Sequence, residues 1–362
     1  MIEEESDAEA KAQPFVNNNS GLDLREKGSF IWQKETLNFN DNTRKRDFIG
    51  DLYLPQSQAP VPVLIISHGV ADNRNTFAYL GEYLASYGFA VVALEHPGSN
   101  TQQFQNLLLG AAKEAVETPE FIDRPQDVSF VINELTSLNQ NSPQIKDKLN
   151  LQQIGIIGHS FGGYTALAIA GAKFDFAKLK RECRADNYNL NAANASLLLQ
   201  CLALNLPANV DYKLQDKRIK AVFVMNPSIG SIFGEKGLSA IELPVMLLGG
   251  SDDAVTPHLL EQVCPFTWLK TPDKYLVKIQ GGTHVYDNQG LAGAVPLPSP
   301  LANPDPLLSQ KYIQIMTLAF AKTYVANDPQ YRQFLSPSYV QTISKPSLPI
   351  QLVRLLTAKT VI

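Results

Sequence analysis

One serine stands with a glycine two positions to either side, in Gly158-His159-Ser160-Phe161-Gly162. A serine hydroxyl is a poor nucleophile until a base takes its proton and donors hold the oxyanion that its attack creates. The flanking sequence suits a turn that presents such a hydroxyl. Residues 154–157 (Ile-Gly-Ile-Ile) form an apolar run that predicts a buried strand, and residues 163–170 predict a helix with a small apolar face. Glycines at −2 and +2 give a strained turn room where a Cβ would clash. The helix start offers free N–H groups and partial positive charge, which suit an oxyanion.

The base is expected to be histidine, which takes and returns a proton near neutrality. Five histidines are available. His159 lies inside the turn and is expected to point away from Ser160. His68 begins a tight turn after a strand, His96 precedes Pro97, and His258 falls in the first turn of a helix. His284 follows the glycine turn Gln280-Gly281-Gly282-Thr283 late in the chain. Only His284 combines a late position with a flexible glycine turn that can swing a ring over the sheet edge, so it is the expected base. The acid must then lie between Ser160 and His284, after a strand. Gly250-Ser251-Asp252-Asp253 supplies it, with Asp253 assigned and Asp252 as the alternative. The acid would fix the imidazole tautomer and stabilise imidazolium. The backbone N–H groups of Phe161 and Val70, the latter in Ser67-His68-Gly69-Val70, are the expected oxyanion donors.

The elements that must position these groups can be read from periodicity. Residues 31–39 and 46–54 alternate around Asn40-Asp41-Asn42 and predict an antiparallel pair at a sheet edge. Continuous apolar runs at 61–67, 89–94, 219–225, 244–250 and 275–279 predict buried parallel strands. Helices are expected over 76–87, over 124–138 with Asp127, Glu134 and Asn139 outward, and over 312–325. Residues 295–306 are proline-rich and read as a loop. The fold class is therefore α/β, a doubly wound, mostly parallel sheet with an antiparallel N-terminal edge. An insertion at 171–216 with helical patterns at 174–184 and 192–204 is expected to cap the C-terminal edge, where such sheets bind ligands. Residues 1–28 read as a linker or disordered arm, 29–335 as the main domain, and 336–362 as a tail without clear period.

Composition excludes several function classes. With 31 basic and 35 acidic side chains the formal net charge is −4, so no basic surplus argues for nucleic acid or an anionic membrane surface. No apolar run is long enough for a spanning helix. The acidic start lacks the regions of a signal peptide, which leaves a cytoplasmic protein or a trimmed periplasmic or secreted one. No cofactor is implied: there is no phosphate loop, no dinucleotide fingerprint and no zinc spacing among the three cysteines. Asp252, Asp253 and His258 are close in sequence but do not form a metal set. Cys183 and Cys201 could form a disulfide or remain separate buried thiols.

The motifs Gly-His-Ser-Phe-Gly-Gly at 158–163, Ser-His-Gly at 67–69, Tyr-Leu-Ala-Ser-Tyr-Gly-Phe at 83–89, Glu-His-Pro-Gly-Ser at 95–99 and Gly-Gly-Thr-His at 281–284 together resemble the α/β-hydrolase superfamily. Within it they are most similar to the dienelactone-hydrolase-like, platelet-activating-factor-acetylhydrolase-like and cutinase-like polyester-hydrolase branch. The resemblance spans roughly residues 30–325 and implies Ser160 as nucleophile, Asp253 as acid, His284 as base, and Val70 with Phe161 as oxyanion donors. True dienelactone hydrolases use cysteine where this chain has Ser160, and the 171–216 insertion is longer than in cutinase-like members. The chain also resembles cyanobacterial hydrolases with an extra helical domain, which would make residues 1–28 the end of a linker and the chain a fragment. The expected activity is carboxylic ester hydrolysis through an acyl-enzyme, on a small-molecule or polymeric ester. A peptidase or thioesterase on the same triad, or a non-catalytic binding module, are the alternatives. Acyl specificity and oligomeric state are not legible.

Overall fold

The apolar runs form the middle of a nine-stranded sheet in the computed structural model, which describes residues 2–16, 22–184, 194–286 and 301–356. In chain order the strands are β1 (Trp32–Asp41), β2 (Arg46–Pro55), β3 (Val61–Ser67), β4 (Ala90–Glu95), β5 (Leu149–His159), β6 (Ile219–Met225), β7 (Val245–Gly250), β8 (Lys274–Ile279) and β9 (Ile350–Val353). Their spatial order is β1-β2-β4-β3-β5-β6-β7-β8-β9. Strands β3 to β8 run parallel, while β1, β2 and β9 are antiparallel to their neighbours. After β4 the chain crosses over β3 to enter β5, so the loops that leave β3 and β5 open side by side at the carboxyl edge. That reversal of winding is where a doubly wound sheet has its crevice.

The helices are α1 (Ile2–Ala12), α2 (Ala78–Ser86), α3 (Thr101–Leu108), α4 (Glu120–Asn141), α5 (Phe161–Ala170), α6 (Phe176–Glu182), α7 (Ser196–Cys201), α8 (Gly230–Leu238), α9 (Cys264–Trp268), α10 (Pro306–Tyr324) and α11 (Pro337–Ile343). Strand side chains alternate between faces, so the sheet has two cores. Val63 and Ile65 of β3 pack with Val128, Val131 and Leu135 of α4 and with α5. Leu64 and Ile66 pack on the other face with Leu80 and Leu84 of α2 and with Ile313, Met316 and Phe320 of α10.

Three expectations need correction. Residues 2–12, read as part of an arm, form α1, which buries Ile2 and Ala10; its Glu9 carboxylate accepts the N–H groups of Arg354 and Leu355. The sequence reads as solvated because one narrow apolar face suffices for so short a helix. The segment from 336, read as a tail, carries α11 and β9, and β9 pairs with β8. A four-residue strand is too short to show a period. Asp127, placed outward, is buried, because α4 carries a polar cluster on its inner face.

The insertion is tied to the body through α7. A disulfide joins Cys183 after α6 to Cys201 at the end of α7, which settles the pairing the sequence left open. Glu261 is fully buried; its Oε1 accepts from Asn194 Nδ2 (2.6 Å), Gln200 Nε2 (2.9 Å) and Ser196 Oγ (3.1 Å), and its Oε2 from the N–H groups of Ile229 (2.6 Å) and Gly230 (2.7 Å). Gln200 Oε1 takes the N–H groups of Ser231 and Ile232 at 2.9 Å. The orphan donors at the start of α8 are thus satisfied by one carboxylate and one amide that also hold α7. Ser196 N–H donates to Val255 O, so α7 lies against the loop after β7. Replacing Glu261 by Ala leaves several buried donors unpaired; it is expected to lower unfolding free energy by about 3 kcal/mol, read from the urea midpoint, with Q200A losing less.

Candidate active site

The serine turn is the junction of β5 and α5. Ser160 has φ 54° and ψ −115°, a conformation that L-residues rarely adopt. Its N–H donates to Met225 O at 3.0 Å, and its carbonyl accepts from Gly163 N–H (2.9 Å) and Ser228 N–H (3.3 Å). The flanking glycines are forced by contact: a Cβ on Gly158 would stand 2.1 Å from Gly162 O, and one on Gly162 would stand 1.9 Å from Ser67 O. Phe161 is the first residue of α5, where N–H groups have no partner inside the helix.

His284 follows β8 and reaches the acid after β7. Its Nδ1 lies 2.8 Å from Asp253 Oδ2. Asp253 is buried and fully hydrogen-bonded: Oδ1 accepts the N–H groups of Val255 and Thr256 at 2.8 Å, and Oδ2 accepts Thr256 Oγ1 at 2.6 Å. Burial by itself would push this carboxyl up, but His284 and the Thr256 donors hold it below the usual carboxylate range. An ionised Asp253 accepts, so Nδ1 carries the proton and Nε2 is left as the basic nitrogen. The neighbouring Asp252 instead accepts from Ser251 Oγ and is exposed, so of the two aspartates the fold joins Asp253 to the imidazole. The His284 ring lies 4.9 Å, centroid to centroid, from that of His159, the residue preceding Ser160.

The loop after β3 lies on the serine turn. A Cβ on Gly69 would come within 3.3 Å of Ser160 Cβ. Beneath the loop, the fully buried Arg124 of α4 donates from Nη1 to His68 O (2.7 Å), from Nη2 to Gly69 O (3.4 Å) and from Nε to Ser99 Oγ (2.9 Å). Burial brings its guanidinium down to about 10, still charged at neutral pH. His68 Nε2 accepts His96 N–H at 3.0 Å, so its Nδ1 carries the proton that points to Gly69 O at 2.6 Å. Burial first, and the charge of Arg124 second, keep His68 well below the ordinary histidine range and neutral. With Gly69 C=O turned to these donors and the peptide trans, the Val70 N–H faces the opposite way. His96 is neutral for the same reason of burial; it donates from Nδ1 to Asp127 Oδ2 (2.9 Å) and meets Ser67 Oγ through Nε2 (3.0 Å). Arg44 and Arg46 complete the shell of Asp127 at 2.8 Å.

A family model described as alpha/beta hydrolase fold matches residues 62–185, from β3 through the serine turn to the end of α6. Cutinase 2 of Thermobifida cellulosilytica is 20% identical over 291 residues, 80% of this chain and 78% of that protein. Cutinase cut1 of Thermobifida fusca is also 20% identical over 291 residues, 80% of this chain and 64% of that protein. Platelet-activating factor acetylhydrolase of Canis lupus familiaris is 28% identical over 137 residues, 29% of this chain and 31% of that protein. The chain has the α/β-hydrolase fold and is similar to that family over residues 62–185.

The fold recruits residues that the sequence did not single out. Asn226, at the end of β6 with φ 41°, is fully buried. Its Nδ2 donates to Thr283 O (2.9 Å) and His284 O (3.0 Å), and its Oδ1 accepts Gly250 N–H (3.0 Å). It therefore joins the end of β7, just before Asp253, to the loop that carries His284. Thr256 and Arg124 are equally silent in the sequence. The one available signal for Asn226 was a polar residue directly after an apolar strand. Among the described residues no group of three or more His, Cys, Asp and Glu could hold a metal ion, and no helix is long and apolar enough to cross a membrane. Gly162→Ala cannot be accommodated without moving the β3 backbone; a loss of about 3 kcal/mol of stability is expected by the overpacking rule, measured by denaturant unfolding against G110A, whose Cβ meets nothing within 4 Å and which reports only the backbone cost of alanine at φ 71°.

Proposed function

We propose that this protein hydrolyses carboxylic esters through an acyl-enzyme, with Ser160 as nucleophile, His284 as base and Asp253 as the acid that orients it. The observation that carries the reading is the 2.8 Å pair of His284 Nδ1 and Asp253 Oδ2 beside a serine held at positive φ. Ser160 Oγ attacks the ester carbonyl while His284 Nε2 takes its proton. The tetrahedral oxyanion is received by the N–H groups of Val70 and Phe161. His284 returns the proton to the departing alcohol, and a water molecule repeats the sequence on the acyl group. The similarity to proteins named cutinases supports an ester as the substrate class, either polymeric or small. The catalytic domain in this reading takes in the described part of the segment from 336, since β9 completes its sheet.

A fluorophosphonate probe is expected to label the wild type and not S160A. On a panel of p-nitrophenyl esters, acyl-CoA and aminopeptidase substrates, the esters should turn over fastest. Faster peptide or thioester turnover would reassign the substrate, and a folded sample that takes no label would mark a binding module. D253N should keep the fold and lose about 10⁴ in kcat, because it stabilises the wrong tautomer.

A further inference from the structure

The carbonyl of the base is held from two sides. His284 O accepts from Asn226 Nδ2 at 3.0 Å and from His159 Nε2 at 2.9 Å. Asn226 cannot titrate. His159 can, and its other nitrogen has an unusual neighbour: Nδ1, buried and without a hydrogen-bond partner, lies 3.6 Å from Asp72 Oδ2. Since Nε2 donates, a neutral ring would aim the Nδ1 lone pair at a carboxylate, and a protonated ring places an N–H there. Asp72 is two residues beyond Val70, in the loop anchored by Ala71 N–H on Ser99 O and by Thr101 N–H on Asp72 O. Both members of the pair press on Gly69, whose Cβ would stand 2.9 Å from Asp72 Oδ2 and 3.0 Å from His159 Nδ1.

We propose that Asp72 and His159 are a positioning pair, a second carboxylate–imidazole contact that in its charged form locks the loop carrying His284 to both the serine turn and the oxyanion loop. The proposal rests on the ester-hydrolase reading above. It adds residues outside the triad and a dependence on protonation that the triad does not supply.

The groups facing His159 from every side are few. Phe77 and Tyr286 wall the ring at 5.4 and 5.8 Å, and His284 stands at 4.9 Å. Burial pushes the Tyr286 hydroxyl well above its ordinary range, so it stays neutral, and the nearby His68 is neutral as described. Asp253 and Asp72 are the negative charges, and Asp72 is the nearer. Burial opposes a charge on His159, yet Asp72 outweighs it, and the ring is held above its ordinary value of 6.5. Such a group favours the folded arrangement fully below its ordinary pKa, and that contribution is lost as pH rises through the raised value. The lock therefore opens on the alkaline side, whereas the need for an unprotonated base acts on the acid side.

The test is the pH profile of kcat on a p-nitrophenyl ester, with rates divided by sites titrated with fluorophosphonate. The wild type should fall at alkaline pH. D72N should move that fall acidward by roughly one unit or more, the usual effect of losing an opposite charge at this distance. H159Q retains an N–H donor for His284 O but cannot titrate; its plateau should be several-fold lower, with no alkaline fall. H159L, which has no donor, should lose more of the plateau than H159Q. A wild-type profile without an alkaline fall, or a D72N profile that superimposes on the wild type, overturns the pair while leaving the hydrolase reading intact. A wild type that neither labels nor turns over esters instead fails that reading, and the pair's role with it.

Discussion

The carboxyl edge of this sheet depends on the backbone of Ser160. Its φ of 54° and ψ of −115° cost about 1–3 kcal/mol relative to relaxed backbone. The surroundings supply the offset. The N–H of Ser160 reaches over to Met225 O on the adjoining strand, and its carbonyl receives N–H groups from α5 and from Ser228. Gly158 and Gly162 let the turn close on itself and on β3 at distances no side chain allows. The serine is thus fixed relative to β3 and β6 as well as to its own strand. The same strands deliver Gly69, Val70 and Asn226, so one distorted residue is tied to the loops that surround it.

Beneath the β3 loop lies a layer of buried charge that hydrophobic packing could have replaced at little or no loss of stability. Arg124, Asp127, Glu120 and His96 are almost wholly removed from water. What an apolar layer could not do is choose a direction for a peptide plane. The donors beneath Gly69 C=O impose that direction, and trans geometry passes it to the Val70 N–H. Keeping the charge compensated requires the surrounding cluster: Glu120 Oε2 lies 3.6 Å from Arg124 and accepts Ser99 Oγ, while Arg44 and Arg46 close on Asp127. Two neutral histidines then link the halves without adding net charge.

Much of the architecture was legible because it follows from chain-local patterns. The strands at 61–67 and 219–225 match their observed bounds, and the antiparallel edge is β1 and β2. The serine turn was readable from its glycines, and the contact between His284 and Asp253 from chain order, with Asp252 excluded only by geometry. What was not legible is what depends on distant partners. Arg124 and Asp127 look like solvent-facing charges in a helix, since nothing local says that Arg44 and Arg46, some eighty positions earlier, will meet Asp127. Asn226 and Asp72 carry no motif. The short elements at both ends of the described chain lacked the length to show a period, although they pack on each other and on β8.

The carboxyl edge around Ser160 and His284 is held in a consistent way. Most of the bonds that fix it end on backbone. Ser160 is held by Met225 O, the His284 loop by two donors on His284 O and one on Thr283 O, Asp253 by the N–H groups of Val255 and Thr256, and the loop after β3 by donors to His68 O and Gly69 O. A backbone acceptor is present whatever side chain is attached, so the receiving residues are free to vary in type as long as the sheet keeps its register. Only the side-chain donors, and Asp253 as a side-chain acceptor, are constrained. Specific identity is therefore concentrated in a handful of side chains, among them Arg124, Asn226, His159 and Thr256. The insertion is secured through Glu261, Gln200 and the disulfide, and it meets the Asp253 loop where Ser196 N–H donates to Val255 O.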